Sequence, residues 1–195
     1  MKCIFCDEID EKISFKTLFL KNDKLCHKCR NLLNLKRKII KVEDFEVETF
    51  YEYDGIFKSL LLQYKECLDE ALSEVFLYDL SDYINLRYLT YKICFVPSSK
   101  KKLEKRGFNH LKEMFKSVKL EELEGLMMKE DLCQEGLNLT ERRKMANNFV
   151  YRGQHVDKVL VVDDVLTTGS TLSGVYRAIY PKVKTIKVLS LAYKK

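Results

Sequence analysis

The sequence holds little proline and little glycine, 2 and 7 of 195 residues, which excludes collagen-like, proline-rich and glycine-linker architectures. It has no apolar run near the ~20 residues that a membrane span requires. With 33% of its residues charged, no membrane insertion is expected. The opening residues, Met1-Lys2-Cys3-Ile4-Phe5-Cys6-Asp7-Glu8, turn acidic before any apolar stretch develops. No signal peptide is expected, and the cytoplasm is the expected compartment. The Gly-Lys-Ser/Thr ending of a Walker loop is missing. The 3 histidines, His27, His110 and His155, form no Ser-His-Asp or Cys-His arrangement and read as ordinary polar residues. What is present is 46% hydrophobic residues, enough for one packed domain with a small appendage.

Net charge is +6 but unevenly placed: residues 42–91 hold 12 acidic and 3 basic groups, whereas residues 92–119 hold 9 basic and 2 acidic ones. The basic block, like Lys36-Arg37-Lys38, can meet a polyanion.

Seven cysteines are an awkward number for a disulfide framework. Four of them read Cys3-x2-Cys6-x19-Cys26-x2-Cys29. A two-residue gap lets both thiolates of a pair reach one tetrahedral Zn²⁺ at ~2.3 Å, and two such pairs fill the shell, which makes the site structural. A module of about 30 residues buries too little core to stand without such a metal. A redox dithiol, two disulfides formed after purification and an iron–sulfur cluster are the alternatives, and the spacing does not favour a cluster. Cys67, Cys94 and Cys133 read as buried or half-buried thiols.

Residues 1–41 are expected to form the zinc-binding module and a connector, Asn31 to Lys41 reading as helical, and residues 42–195 the main domain. Phe45 to Tyr53 alternates like a strand, followed by an Asp54-Gly55 turn. Ile56 to about Asn85 has helical spacing with a break near Glu66 to Asp69. Tyr91 to Val96 reads as a strand stopped by Pro97, Phe108 to Lys119 as a helix, and Leu139 to Asn147 as a short helix. Lys158 to Val162 is a continuous apolar strand of the kind buried on both faces. A helix over Ser170 to Tyr180 and a strand over Lys184 to Ala192 follow. Strand, helix and strand in this order predict an α/β fold with a parallel sheet flanked by helices.

The sharpest motif is Val159-Leu160-Val161-Val162-Asp163-Asp164-Val165-Leu166-Thr167-Thr168-Gly169-Ser170-Thr171. Ligands of open α/β sheets bind at the carboxyl ends of strands, where Asp163 and Asp164 are expected. A helix N-terminus offers free N–H groups and positive dipole character. Gly169 permits close backbone approach, and Thr167, Thr168, Ser170 and Thr171 add hydroxyl donors, so the turn suits a monophosphate. Adjacent carboxylates suit the paired hydroxyls of a ribose and can help hold a hydrated Mg²⁺. Pro97-Ser98-Ser99-Lys100 and the basic loop Lys101-Lys102-Leu103-Glu104-Lys105-Arg106-Gly107, with Gly107 as hinge, can close over a pyrophosphate.

The thirteen-residue segment resembles the signature of type I phosphoribosyltransferases, which bind 5-phosphoribosyl-1-pyrophosphate (PRPP). That likeness implies a phosphoribosyltransferase-like sheet in which Asp163 and Asp164 hold the ribose hydroxyls. Val165 to Thr171 would bind the 5-phosphate, with Ser98, Ser99, Lys100, Lys105 and Arg106 at the pyrophosphate. With Val96-Pro97, Lys105-Arg106-Gly107-Phe108-Asn109, Gln134, Leu137, Glu141-Arg142-Arg143, Asn147, Phe149 and the N-terminal cysteines, the chain resembles the ComF family over residues 1–193. It departs from the family at Ser98-Ser99-Lys100, where a second Pro is usual, and at Tyr64-Lys65-Glu66, where Lys-Phe is usual. This resemblance implies a cytosolic, PRPP-binding, amidophosphoribosyltransferase-like protein of natural transformation and DNA uptake. Incoming single-stranded DNA, a helicase-like competence translocase and a DNA-processing protein would be its partners. The alternative is an active Mg²⁺-dependent phosphoribosyltransferase acting on a nitrogen acceptor.

Overall fold

The computed structural model describes residues 2–9, 23–129 and 148–195. In chain order its elements are α1 (His27–Leu32), β1 (Lys38–Val42), β2 (Phe45–Glu52), α2 (Gly55–Glu66), α3 (Ser73–Phe76), α4 (Ser81–Arg87) and β3 (Lys92–Phe95). There follow α5 (Lys100–Arg106), α6 (His110–Met114), β4 (Leu126–Met128), β5 (Phe149–Tyr151), β6 (Val156–Leu166), α7 (Ser170–Ile179) and β7 (Val183–Tyr193). The central sheet runs β1-β2-β7-β6-β3. Its β2–β7, β7–β6 and β6–β3 pairs are parallel, and only β1 is antiparallel. The protein is thus a mixed α/β fold with a mostly parallel sheet flanked by helices.

Local sequence explains the centre of this sheet. Val159 to Val162 are fully buried, as a strand covered on both faces requires. On α7, Leu172, Val175 and Ile179 are buried at helical spacing, which turns one stripe onto the sheet. On α2, Phe57, Leu60, Leu61 and Tyr64 are buried. Phe57 and Tyr64 meet Phe76 with ring centroids 5.6 and 5.5 Å apart. Each of these side chains is worth roughly 1.5–3 kcal/mol of burial.

Four expectations need correction. The connector is a strand at Lys38–Val42, in register with β2 from Lys38↔Thr49 to Val42↔Phe45. Its Ile39, Ile40 and Val42 favour extended backbone, and the edge of β2 supplies the pairing. The basic segment is a helix, α5, and not a loop. Its Lys, Leu, Glu and Arg residues are good helix formers, and Gly107 (φ 78°) serves as its left-handed C-cap, donating to the Leu103 carbonyl at 2.7 Å. The helix begun at Phe108 is only His110–Met114, with the Asn109 side chain capping Lys112 N. Cys67 is exposed, although Cys94 is buried. The expected helix over Leu139 to Asn147, the motif residues 134–147 and Cys133 lie outside the described residues. The β4–β5 hairpin carries no signal that was read from sequence.

Two buried polar clusters brace the frame. Glu48, on β2, is 6% exposed and accepts from Tyr83 Oη at 2.7 Å, Tyr88 Oη at 2.5 Å and Arg37 Nε. Burial works against its charge, but these donors outweigh it and hold the carboxyl below its usual range. Arg30, just after Cys29, grips Asp23 through Nε (2.7 Å) and Nη2 (2.5 Å) and donates to the Val75 carbonyl at 2.9 Å. The ion pair braces the cysteine-bearing segment internally, and the bond to Val75 fastens that segment to α3.

Candidate functional site

The cleft exists because neighbouring strands end at different heights. β3 pairs with β6 only as far as Phe95↔Val162. Val96 N still donates to Val162 O at 3.1 Å, and Pro97, having no N–H, ends the ladder there. On its other side β6 stays paired to β7 as far as Leu166↔Tyr193. Asp163 and Asp164 therefore lie inside β6, not after it, but beside a gap left by β3. A cavity of about 480 Å³ fills that gap.

The cavity gathers much of the predicted site. Asp163, Asp164 and Val165 form its floor. Ser98, Ser99 and Arg106 line one wall, joined by Lys102, and Ser170 and Thr171 line the other. Other predicted residues stand elsewhere. The side chain of Leu166 is core, 4% exposed, so only its backbone can face a ligand. Lys105 turns to Glu66 at 2.7 Å, Lys100 is exposed outside the lining, and Thr167 and Thr168 are exposed on the loop. Gly169 has φ 79°, and a Cβ there would sit 2.5 Å from Val42 Cγ1. Both facts demand glycine. Thr168 Oγ1 lies 3.0 Å from Ser170 Oγ, tightening the turn that opens α7.

Two residues not counted in the site dominate its electrostatics. Lys65 from α2 forms an ion pair with Asp164 Oδ2, and His110 Nε2 lies 2.8 Å from the same oxygen. Arg106 Nη1 is 3.3 Å from His110 Nδ1. An arginine can only donate, so this geometry fits a neutral imidazole carrying its proton on Nε2 and giving it to Asp164. Burial lowers the His110 pKa despite the carboxylate, which agrees with the neutral form. Tyr64 Oη fixes the His110 carbonyl at 2.8 Å, and Arg106 Nη2 reaches Glu66 Oε1 at 3.8 Å. Consecutive residues 64, 65 and 66 of α2 thus clamp the segment that carries His110. The reading of His110 as an isolated polar residue is overturned.

The two carboxylates are driven apart. Burial opposes the charge on Asp164, yet His110 and Lys65 hold it well below the usual range. Asp163 is pushed up, first by burial and then by the neighbouring Asp164 charge, and the Asp164 N–H (2.9 Å) with the charges of Lys65 and Lys102 offsets this only in part. Asp164 is therefore anchored by the protein, and Asp163 is the carboxylate less fully committed.

The four predicted zinc ligands also converge. The ligand sulfurs of Cys3, Cys6, Cys26 and Cys29 all lie within 4.8 Å of one another. Cys6 Sγ and Cys26 Sγ are 3.7 Å apart, close to the ~3.8 Å edge of a tetrahedron with ~2.3 Å Zn–S bonds. Cys26 caps α1 and places Cys29 one turn on, its N–H 3.5 Å from Cys26 Sγ. Burial and the neighbouring thiols raise the Cys29 pKa, whereas backbone N–H groups outweigh burial at Cys3 and draw it down to about 7. Ionising all four together needs a cation at their centre, and the donor set fits zinc. His27 is exposed and pairs with Asn31 at 3.0 Å, outside the cluster.

Fold and site together define an α/β protein with a ligand cleft at the carboxyl edge of a mostly parallel sheet and a four-cysteine cluster at its N-terminal side. The chain is 24% identical over 220 residues to a curated relative, the Competence protein ComFC of Streptococcus pneumoniae (strain ATCC BAA-255 / R6), an alignment covering 98% of this chain and 99% of that protein. This similarity over nearly the whole of both chains supports membership of the ComF family. No protein-family model matches the chain. Among the described residues no helix is long and apolar enough to cross a membrane.

Proposed function

We propose that the protein binds PRPP in the cleft and acts in DNA uptake during natural transformation, handling incoming single-stranded DNA in the cytosol. The observation that carries this reading is the cavity itself, in which paired carboxylates face a hydroxyl-lined helix N-terminus across from a cationic wall. Asp163 meets the ribose hydroxyls, and Asp164, held by Lys65 and His110, keeps the edge in shape. Backbone N–H groups of residues 167–171 with Ser170 and Thr171 take the 5-phosphate. Ser98, Ser99, Lys102 and Arg106 face the pyrophosphate. With Asp164 occupied by protein partners, Asp163 is the carboxylate that would help hold a hydrated Mg²⁺, which would offset the charge of the pyrophosphate. Zinc at the four cysteines is structural.

The name of the pneumococcal relative supports a competence-related role, in which a helicase-like translocase and a DNA-processing protein are the expected partners. The basic faces at Lys36 to Lys38 and on α5 supply cations for a phosphate backbone. A second reading, favoured by the His110–Asp164–Lys65 cluster, is phosphoribosyl transfer. A bond from C1 to a nitrogen acceptor forms as the C1–O bond breaks, pyrophosphate leaves with the electron pair, and the acceptor's proton passes to solvent. The two readings separate by assay. Release of pyrophosphate from PRPP, abolished by Asp164→Ala, establishes turnover. Salt-sensitive binding of oligothymidylate, lost when Lys101 and Lys102 become Glu, establishes DNA handling. Absence of both refutes the proposal.

A further inference from the structure

Beside the cleft lies a second cavity of about 540 Å³ that the reading above does not use. It is lined by Glu43, Asp44, Phe45, Ser173, Tyr176, Arg177 and Tyr180. Its wall is a ladder of rings. Phe45 stacks on Tyr176 with centroids 4.6 Å apart and planes 9° from parallel, and Tyr176 stacks on Tyr180 at 5.8 Å and 26°. The ladder starts in the core, with Phe45 8% exposed, and ends in solvent, with Tyr180 62% exposed. Packing alone does not require a stack to continue outward to a ring so exposed.

The two cavities are neighbours by construction. Arg177 lines both. Val42 packs on Gly169 of the phosphate turn, and the next residues, Glu43 to Phe45, border the ladder. Ser170 and Tyr176 lie on one helix, about 9 Å apart along its axis at 1.5 Å per residue. The ladder therefore extends along α7 away from the turn at residues 167–171.

A terminal 5-phosphate needs nothing beyond it, but a phosphodiester does. We infer that the Phe45–Tyr176–Tyr180 ladder is a base-stacking platform for single-stranded DNA, seating the nucleotide joined through the phosphate at the 167–171 turn. This rests on the phosphate reading of that turn. Sequence-tolerant stacking on aromatic rings beside a cation is how single strands are held. Arg177 supplies the cation. Its resting partner is Glu43, 2.6 Å away, and both are about half exposed, so a phosphate displaces the carboxylate at little cost. Asp44, exposed at the rim, can accept from a base N–H, the ring N3–H in thymine.

The test uses the full chain, zinc-loaded, with fluorescein-labelled oligothymidylate by anisotropy and PRPP by calorimetry. Tyr180→Ala is expected to weaken oligonucleotide binding about 5- to 150-fold, the effect of losing one stacked base, while PRPP affinity stays within twofold. Tyr180→Phe restores binding. Oligonucleotides carrying 5-iodouracil are expected to photocrosslink to Tyr180 or Tyr176. Equal oligonucleotide affinity in wild type and Tyr180→Ala overturns the platform and leaves the DNA reading standing. Equal loss for PRPP and oligonucleotide also overturns it. A wild type that binds PRPP but no oligonucleotide sinks the platform and the DNA half of the proposed function together. Loss of self-association in Tyr180→Ala without loss of DNA binding assigns the ladder to a second copy instead.

Discussion

Replacing Lys65 by Met removes the ammonium from Asp164 and leaves a carboxylate whose side chain is 10% exposed, with His110 as its remaining side-chain hydrogen-bond partner among the described residues. Two unit charges 4 Å apart at an effective dielectric of 20 attract by about 4 kcal/mol, and breaking a buried pair by removing one partner costs about 3–5 kcal/mol. Lys65 retains 18% exposure, so water relieves part of this, and the expected loss is about 2–3 kcal/mol at pH 8. The loss depends on pH. Burial is the main cause that lowers the His110 pKa and the Lys65 charge a lesser one, so in Lys65→Met the imidazole pKa moves up from its depressed value and the ring takes a proton more readily in place of the lost ammonium. Relative to wild type, that contribution is present in full below the depressed wild-type pKa and vanishes as pH rises through the variant's higher one. The destabilisation is therefore smallest near pH 6 and largest near pH 8. Asp164→Asn removes the stranded charge, and the double variant is expected to recover at least 1 kcal/mol relative to additivity. Urea unfolding of the four proteins at pH 6, 7 and 8 reads this directly. A cost under 0.5 kcal/mol at every pH, or strict additivity, refutes the argument.

Asp163→Asn is expected to stabilise the protein at neutral pH. Its carboxyl is raised from 3.8 to about 7, which caps the gain at about 4 kcal/mol. The charge penalty sets in only as pH rises past the unfolded value, so the stability gap to wild type closes below pH 4. Gly169→Ala combines a left-handed backbone with the Val42 clash and is expected to cost about 2–4 kcal/mol. Adding Val42→Ala relieves the clash alone and recovers part of the loss, read by denaturant midpoints. Stripping zinc with a chelator is expected to free the Arg30–Asp23 clasp along with the cysteine cluster. At roughly 3 kcal/mol or more the thermal midpoint falls by about 6–12 °C, and Cys29→Ser, tested without chelator, reproduces the fall.

Continuity of apolar character made Val159 to Val162 legible as a buried strand, and spacing alone paired the four cysteines. The 167–171 turn was legible because its glycine and hydroxyl residues are contiguous. Lys65 and His110 were not, since they reach Asp164 from helices 99 and 54 positions away in sequence, and neither carries a local pattern. Only the step between β3 and β6 brings them together. The connector misled because its lysines and leucines suit a helix, whereas the free edge of β2 supplies hydrogen bonds that local propensity does not register. The basic segment misled in the opposite sense, because a run of positive charge in the presence of glycine reads as a loop until Gly107 is seen to cap a helix.

Isothermal calorimetry of PRPP binding, with and without Mg²⁺, bears most directly on the cleft. The account predicts saturable one-site binding that Mg²⁺ tightens, that Asp163→Asn weakens, and that Gly169→Ala abolishes at a temperature where the variant remains folded. No heat in wild-type protein under either condition, or binding indifferent to both substitutions, contradicts it.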